Sequence, residues 1–192
     1  MNILVISGSP RANSSSLNVA KYVSAQLEQQ EGVENRIFDL NDCNLEMWHG
    51  DAVMDDNAKK LIQWAHGFVF VVPEWHGMVP PAFKNLFYYF NSLLAHKPAY
   101  IVGVSSGTGG RYPITELRST TYKNSFINYI PLSTVVDHVD DLINAQGEMT
   151  ANSEHMAQRI DEGLQFLNVY THALLQVRSS DIFTEKRFKN GM

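Results

Sequence analysis

A chain of 192 residues that is 44% hydrophobic has the length and apolar content for one globular domain with a full core. Its 20 acidic against 15 basic residues, with no basic stripe, argue against a nucleic-acid binder. No apolar run approaches the roughly 18 residues of a membrane span, and the opening run is too short for a secretory signal, so a soluble protein without membrane contact is expected.

The first apolar run, Ile3-Leu4-Val5-Ile6, predicts a strand buried on both faces at the centre of a parallel sheet. A hydroxyl-rich loop follows, and Leu17, Ala20, Val23 or Ser24, and Leu27 then recur at helical spacing. A helix N-terminus carries unpaired N–H groups and about half a positive charge, so it can seat an anion without lysine. Ser9, Ser14, Ser15 and Ser16 add hydroxyl donors and Arg11 a charged fork, which together make a candidate phosphate cup. The competing reading is a polar turn closed by a serine N-cap.

Gly32 ends that helix and residues 33–40 predict a second strand, ending near Asp39. Residues 41–55 read as a loop. It contains Cys43, the single cysteine, which precludes an intramolecular disulfide, fits a reducing cytoplasm and reads as a buried neutral thiol. Residues 58–66 predict a short helix ended by Gly67, and residues 68–72 the strongest strand, stopped by Pro73. A second loop, 74–79, leads to Pro80-Pro81, where a helix should start. Phe83, Leu86, Phe87, Phe90, Leu93 and Leu94 fall on one face of that helix. Pro98 restarts the chain, residues 100–104 predict a fourth strand, and a third loop covers 105–110. Residues 111–132 read as helix broken by turns, 132–136 as a fifth strand and 153–177 as a long amphipathic helix. The division expected is a domain over 1–177 and a polar tail over 178–192.

Apolar strands separated by helices predict an α/β fold with a parallel sheet. The loops after strands one, three and four should gather at the carboxyl ends of the strands, where open α/β sheets bind ligands. Known phosphate motifs fail residue by residue. Asn13 and Ser14 stand where a Walker loop needs Gly and Lys, Pro10 and Tyr112 interrupt dinucleotide glycine fingerprints, and His49 stands where a cysteine phosphatase needs Arg. One rival does match: Gly103-Val104-Ser105-Ser106-Gly107 satisfies the serine-hydrolase elbow, with Asp137 and Asp140 preceding His155 and His172. Against it, Gly107, Gly109, Gly110 and Pro113 keep the segment from entering a helix at once.

Glycines in the third loop let backbone N–H groups approach a flat ring edge. Trp75 and His76 beside Gly77 could cover such a ring; otherwise Trp75 is a rim aromatic and His76 a solvated histidine. Glu74 could instead cap or pair locally, and Lys84 and Asn85 should serve the helix and its contacts. The histidines are scattered without metal-ligand spacing, so no metal is assigned.

Gly8-Ser9-Pro10-Arg11 with Ser14 and Ser16, Pro73-Glu74-Trp75-His76-Gly77 leading to Pro80 and Lys84-Asn85, and Gly107-Thr108-Gly109-Gly110 before Leu117-Arg118 resemble the NADPH-dependent FMN reductases over residues 1–175. That family includes quinone, azo-dye and chromate reductases. The resemblance implies a flavodoxin-like three-layer sandwich with a five-stranded parallel sheet of order 2-1-3-4-5. It implies FMN, with its phosphate held by Ser9, Arg11, Ser14 and Ser16. Pro73, Glu74, Trp75, His76 and Gly77 would then line the isoalloxazine and ribityl region, and Ser105, Ser106, Gly107, Gly109 and Gly110 its pyrimidine edge. Trp75 stands where the family often has Tyr, and the usual S-x-N is displaced to Ser16-Leu17-Asn18.

The implied reaction is ping-pong: hydride from NADPH to FMN, then on to a quinone or similar small acceptor, with His76 as a candidate proton donor. Preference for NADPH over NADH rests on the resemblance alone, as does a homodimer or homotetramer. A flavodoxin-type electron carrier and a serine hydrolase using Ser105 are the alternatives.

Overall fold

Strands with apolar side chains on both sides of the pleat must be covered on both faces, which dictates helices above and below a sheet. The structure, a computed structural model, describes residues 1–43, 45–151 and 153–181. Five strands, β1 (Asn2–Ser7), β2 (Glu34–Asp39), β3 (Gly67–Pro73), β4 (Pro98–Val104) and β5 (Asn128–Val136), pair in parallel in the order β2-β1-β3-β4-β5. This is the flavodoxin-like order expected.

Six α-helices complete the fold among the described residues: α1 (Ser15–Glu28), α2 (Asp56–Trp64), α3 (Pro81–Phe90), α4 (Tyr112–Thr120), α5 (Val139–Leu142) and α6 (Glu154–Arg178). Alternation along each strand splits the core in two. Leu4, Ile6, Phe68, Phe70, Val72 and Ile101 pack with residues of α2, α3 and α4. Ile3, Val5, Val69, Val71, Tyr100 and Val102 pack with residues of α1, α5 and α6. In register, Ser7 lies beside Asp39 and Val71, and Val104 beside Pro73 and Val136, so all five strands end on one edge.

Two boundaries differ from expectation for identifiable reasons. Gly67 opens β3 rather than closing α2; a Cβ there would stand 2.7 Å from Thr171 Oγ1 of α6. β5 begins at Asn128, not Leu132, because Pro131 lies inside it. The register shifts between Ala99 and Ile101, so β5 carries a bulge that tolerates the missing N–H of proline. Arg118 of α4 donates to the Ile130, Pro131 and Leu132 carbonyls, which satisfies backbone that the ladder leaves unpaired. The segment expected as broken helix is therefore α4, a turn and the start of this strand. Of the expected tail, α6 covers Arg178, and residues 182–192 lie outside the described residues.

Candidate active site

The chain leaves β1 through a gap that only glycine fits. A Cβ on Gly8 would lie 2.8 Å from the Val71 carbonyl oxygen and 2.9 Å from Phe83 Cδ2, while its N–H donates to that carbonyl at 2.8 Å. Beyond it, Ser9 is fully buried and its hydroxyl accepts from Arg11 N at 3.3 Å. Ser14 caps α1: its Oγ accepts from Leu17 N at 3.2 Å, which leaves its hydroxyl hydrogen available. Ser16 is buried in the first turn, and that turn holds no acidic residue. Among the described residues, the N–H groups of Ala12, Asn13, Ser15 and Ser16 have no acceptor. Unpaired donors at a helix terminus are the physical requirement for holding an anion.

The second loop is a tight turn after β3. Trp75 and Met78 exchange backbone hydrogen bonds of 3.0 and 2.9 Å around His76 and Gly77, both left-handed at φ 52° and 73°. The Arg11 guanidinium carbon lies 5.2 Å from the centre of the Trp75 ring, joining loop one to loop two. Glu116 of α4 fixes the far side of the turn: its carboxylate accepts from Val79 N at 2.7 Å and from Lys84 Nζ at 2.8 Å. Burial pushes the Glu116 carboxyl up, but the Lys84 and Val79 bonds and the lysine charge outweigh it and hold the group below its ordinary value. Asn85 is buried; its Oδ1 accepts from Trp48 N at 2.9 Å and its Nδ2 donates to Glu46 O at 2.8 Å. Lys84 and Asn85 thus serve contacts between elements, as their sequence position suggested. Cys43 is half-buried, and burial, with Asp55 adding to it, pushes its thiol up to about 11, which keeps it protonated at neutral pH.

Loop three folds back over β4. A Cβ on Gly103 would sit 1.9 Å from the Gly110 carbonyl oxygen, so β4 must carry glycine where the loop crosses it. Ser105 N donates to Val136 O at 3.0 Å and Ser105 O accepts from Val139 N at 3.1 Å, which ties the loop to β5 and α5. Gly110 N and Tyr112 N donate to Glu74 Oε2 at 2.7 and 3.2 Å, joining loop two to loop three. The N–H groups of Ser106, Gly107, Thr108 and Gly109 have no acceptor among the described residues.

The structure therefore brings Ser9, Arg11, Ser14, Ser16, Pro73, Glu74, Trp75, His76, Gly77, Ser105, Ser106, Gly107, Gly109 and Gly110 to one edge of the sheet. The serine-hydrolase elbow does not form: after Ser105 the chain stays open until α4 starts at Tyr112, where that motif requires the serine to enter a helix at once. Sequence reasoning missed His138. It takes a left-handed conformation (φ 47°), its N–H donates to Gly107 O at 3.2 Å and its Nε2 lies 3.2 Å from Thr108 Oγ1. Asp140, read from the sequence only as a possible hydrolase acid, accepts from the Ser15 hydroxyl at 2.7 Å and links α5 to the start of α1. Neither residue carries a local motif; the only signal was their place just after the fifth strand, on the edge where the loops meet.

Known proteins resemble this chain in sequence and in fold. The sequence model described as NADPH-dependent FMN reductase matches residues 1–140. An NADPH azoreductase of Bacillus sp. (strain OY1-2) is 27% identical over 186 residues, covering 92% of this chain and 98% of that one. Among solved structures, the NAD(P)H:(acceptor) oxidoreductase FerB of Paracoccus denitrificans superposes with a TM-score of 0.67 at 19% identity, covering 91% of this chain and 97% of that one. The NADH:FMN oxidoreductase EMOB in its apo form gives 0.66 at 16% identity, with 90% and 89% covered. Sheet order and sequence agree, and the chain belongs to the NADPH-dependent FMN reductase family, as an NAD(P)H oxidoreductase with FMN as cofactor.

Proposed function

We propose that this chain takes NADPH and a quinone or similar small electron acceptor in turn at one shallow rim, in a ping-pong cycle with FMN held on the carboxyl edge of the sheet. The observation that carries this is the pair of unaccepted backbone donor sets on that edge, one at the start of α1 and one in loop three. The donor set fits the cofactor's chemistry. The α1 terminus with the hydroxyls of Ser9, Ser14 and Ser16 and the charge of Arg11 suits a phosphate dianion. Ser105, Ser106, Gly107 and Gly109 offer a row of polar groups to a ring edge, and Gly107 has nothing within 4 Å of a Cβ position to hinder approach. Bound FMN supplies the hydride-accepting centre.

The protein's own part is positioning. Pro73 ends β3 at the edge, and the turn from Trp75 to Met78 holds Trp75, His76 and Gly77 in a fixed shape. Loop-three N–H groups, with no acceptor among the described residues, would stabilise negative charge at a ring edge beside them. Glu74 belongs to this lining by position, with its carboxylate turned to loop three, and Gly110 shapes the crossing over β4 (φ 87°). His76, exposed in its turn, is the group proposed to donate a proton to the acceptor oxygen. NADPH as preferred donor, with NADH as the alternative, follows the family and the Bacillus azoreductase. Assembly as a homodimer or homotetramer and a cytoplasmic location are part of the same proposal; no helix among the described residues is long and apolar enough to cross a membrane.

Initial rates measured with NADPH and a benzoquinone varied together test the cycle. Parallel double-reciprocal lines are expected, since the two substrates exclude one another at the rim. Intersecting lines would require both to be bound at once and would contradict it.

A further inference from the structure

We propose that Glu74 is a positioning residue: its carboxylate acts as the N-terminal cap of α4 and thereby sets the shape of loop three before any flavin arrives. α4 does not cap itself. Arg111, at its N-cap, makes no side-chain capping hydrogen bond, its guanidinium pairing instead with Asp137, and the first turn holds no acidic residue. The orphan N–H of Tyr112, its first residue, is instead satisfied by Glu74 Oε2 at 3.2 Å, and the same oxygen accepts from Gly110 N at 2.7 Å. A carboxylate at the positive end of a helix is stabilised there by the dipole as well as by the bonds.

Glu74 is itself held, because its N–H donates to Val104 O at 2.9 Å across the ends of β3 and β4. Its second oxygen lies against the loop, 3.1 Å from where a Cβ on Gly109 would be. His138 grips the other limb of the loop through Gly107 O and Thr108 Oγ1. Between these two clamps lie the four N–H groups, Ser106 to Gly109, that have no acceptor among the described residues. Without Glu74, the N–H groups of Gly110 and Tyr112 lose their acceptor and the loop is free to fold onto itself. The site would then lose the ready-made row of donors without losing any of the residues in it.

This inference rests on the reading that FMN docks on this edge, and the test separates the two. Glu74→Gln keeps the reach and an acceptor oxygen but removes the charge; Glu74→Asp keeps the charge but is one methylene too short. Amide hydrogen exchange of residues 105–112 is followed in the apoprotein, alongside FMN affinity. In Glu74→Asp, exchange of this segment is expected to accelerate and the FMN dissociation constant to rise by roughly tenfold, since the shortened side chain no longer reaches Gly110 N and Tyr112 N. Glu74→Gln should retain slow exchange and stay within about threefold of the parent. A Glu74→Asp variant with parental exchange, or a Glu74→Gln variant as weak as Glu74→Asp with exchange at 105–112 unchanged, would overturn the cap and make the carboxylate a direct flavin contact. If FMN leaves exchange of residues 8–16 and 105–112 unaltered in the parent protein, the docking reading fails instead.

Discussion

Arg11 is the residue on which two loops depend. Its guanidinium lies over Trp75, so it stiffens the junction between the loop after β1 and the turn after β3, and it places a positive charge beside the donors at the start of α1. Arg11→Ala removes both. The FMN dissociation constant, read by fluorescence titration of the apoprotein, should rise by an amount equivalent to about 1.5–3 kcal/mol. An unchanged constant would take Arg11 out of the phosphate site. Residue-scale chemistry was partly legible in the sequence. Ser14 announced itself because serine before a helix has one common use, and it caps α1 as that use requires. His138 did not, because it acts through its backbone and through a left-handed turn that no spacing rule detects.

Between elements, the ion pair of Lys84 on α3 with Glu116 on α4 closes the floor under the second loop, and its pH dependence has a definite sign. The folded Glu116 carboxyl lies below its ordinary value of 4.5, so its stabilisation is fully present above that value. It is lost as pH falls through the lower folded value. Lys84→Met should therefore cost about 1 kcal/mol at pH 7, and the difference from the parent in thermal melts should shrink steadily below pH 4.5. A difference that persisted unchanged into acid would show that lysine packing, not the pair, supports the turn. Elements also differ in how openly the sequence states them. β1, β3 and β4 are buried along almost their whole length, so each is a continuous apolar run flanked by breakers. β5 mixes exposed and buried positions and contains Pro131; its first residues pair with Pro98 and Ala99 of β4, and Arg118 satisfies the carbonyls across the bulge. Residues 45–48 carry no periodicity at all, since what holds them is Asn85 and Tyr89 on α3.

For the whole molecule, parallel pairing carries the functional consequence. Every strand runs the same way, so every loop that follows a strand emerges on the same edge, and chemistry dispersed over a hundred residues of sequence converges there. This convergence could be anticipated from the order of apolar runs and polar loops. What could not be anticipated is how the loops are bound to one another, because Arg11 on Trp75, Glu74 on Gly110 and His138 on Gly107 are contacts between distant segments. The central claim is that this edge holds FMN where NADPH can reduce it. Anaerobic titration of the FMN-loaded protein with NADPH, followed by visible absorbance, tests it most directly. A yellow protein whose flavin absorbance bleaches with an equimolar addition of NADPH is the expected result; a protein that stays colourless after FMN is added and the excess removed, or a bound flavin that NADPH leaves oxidised, would contradict it.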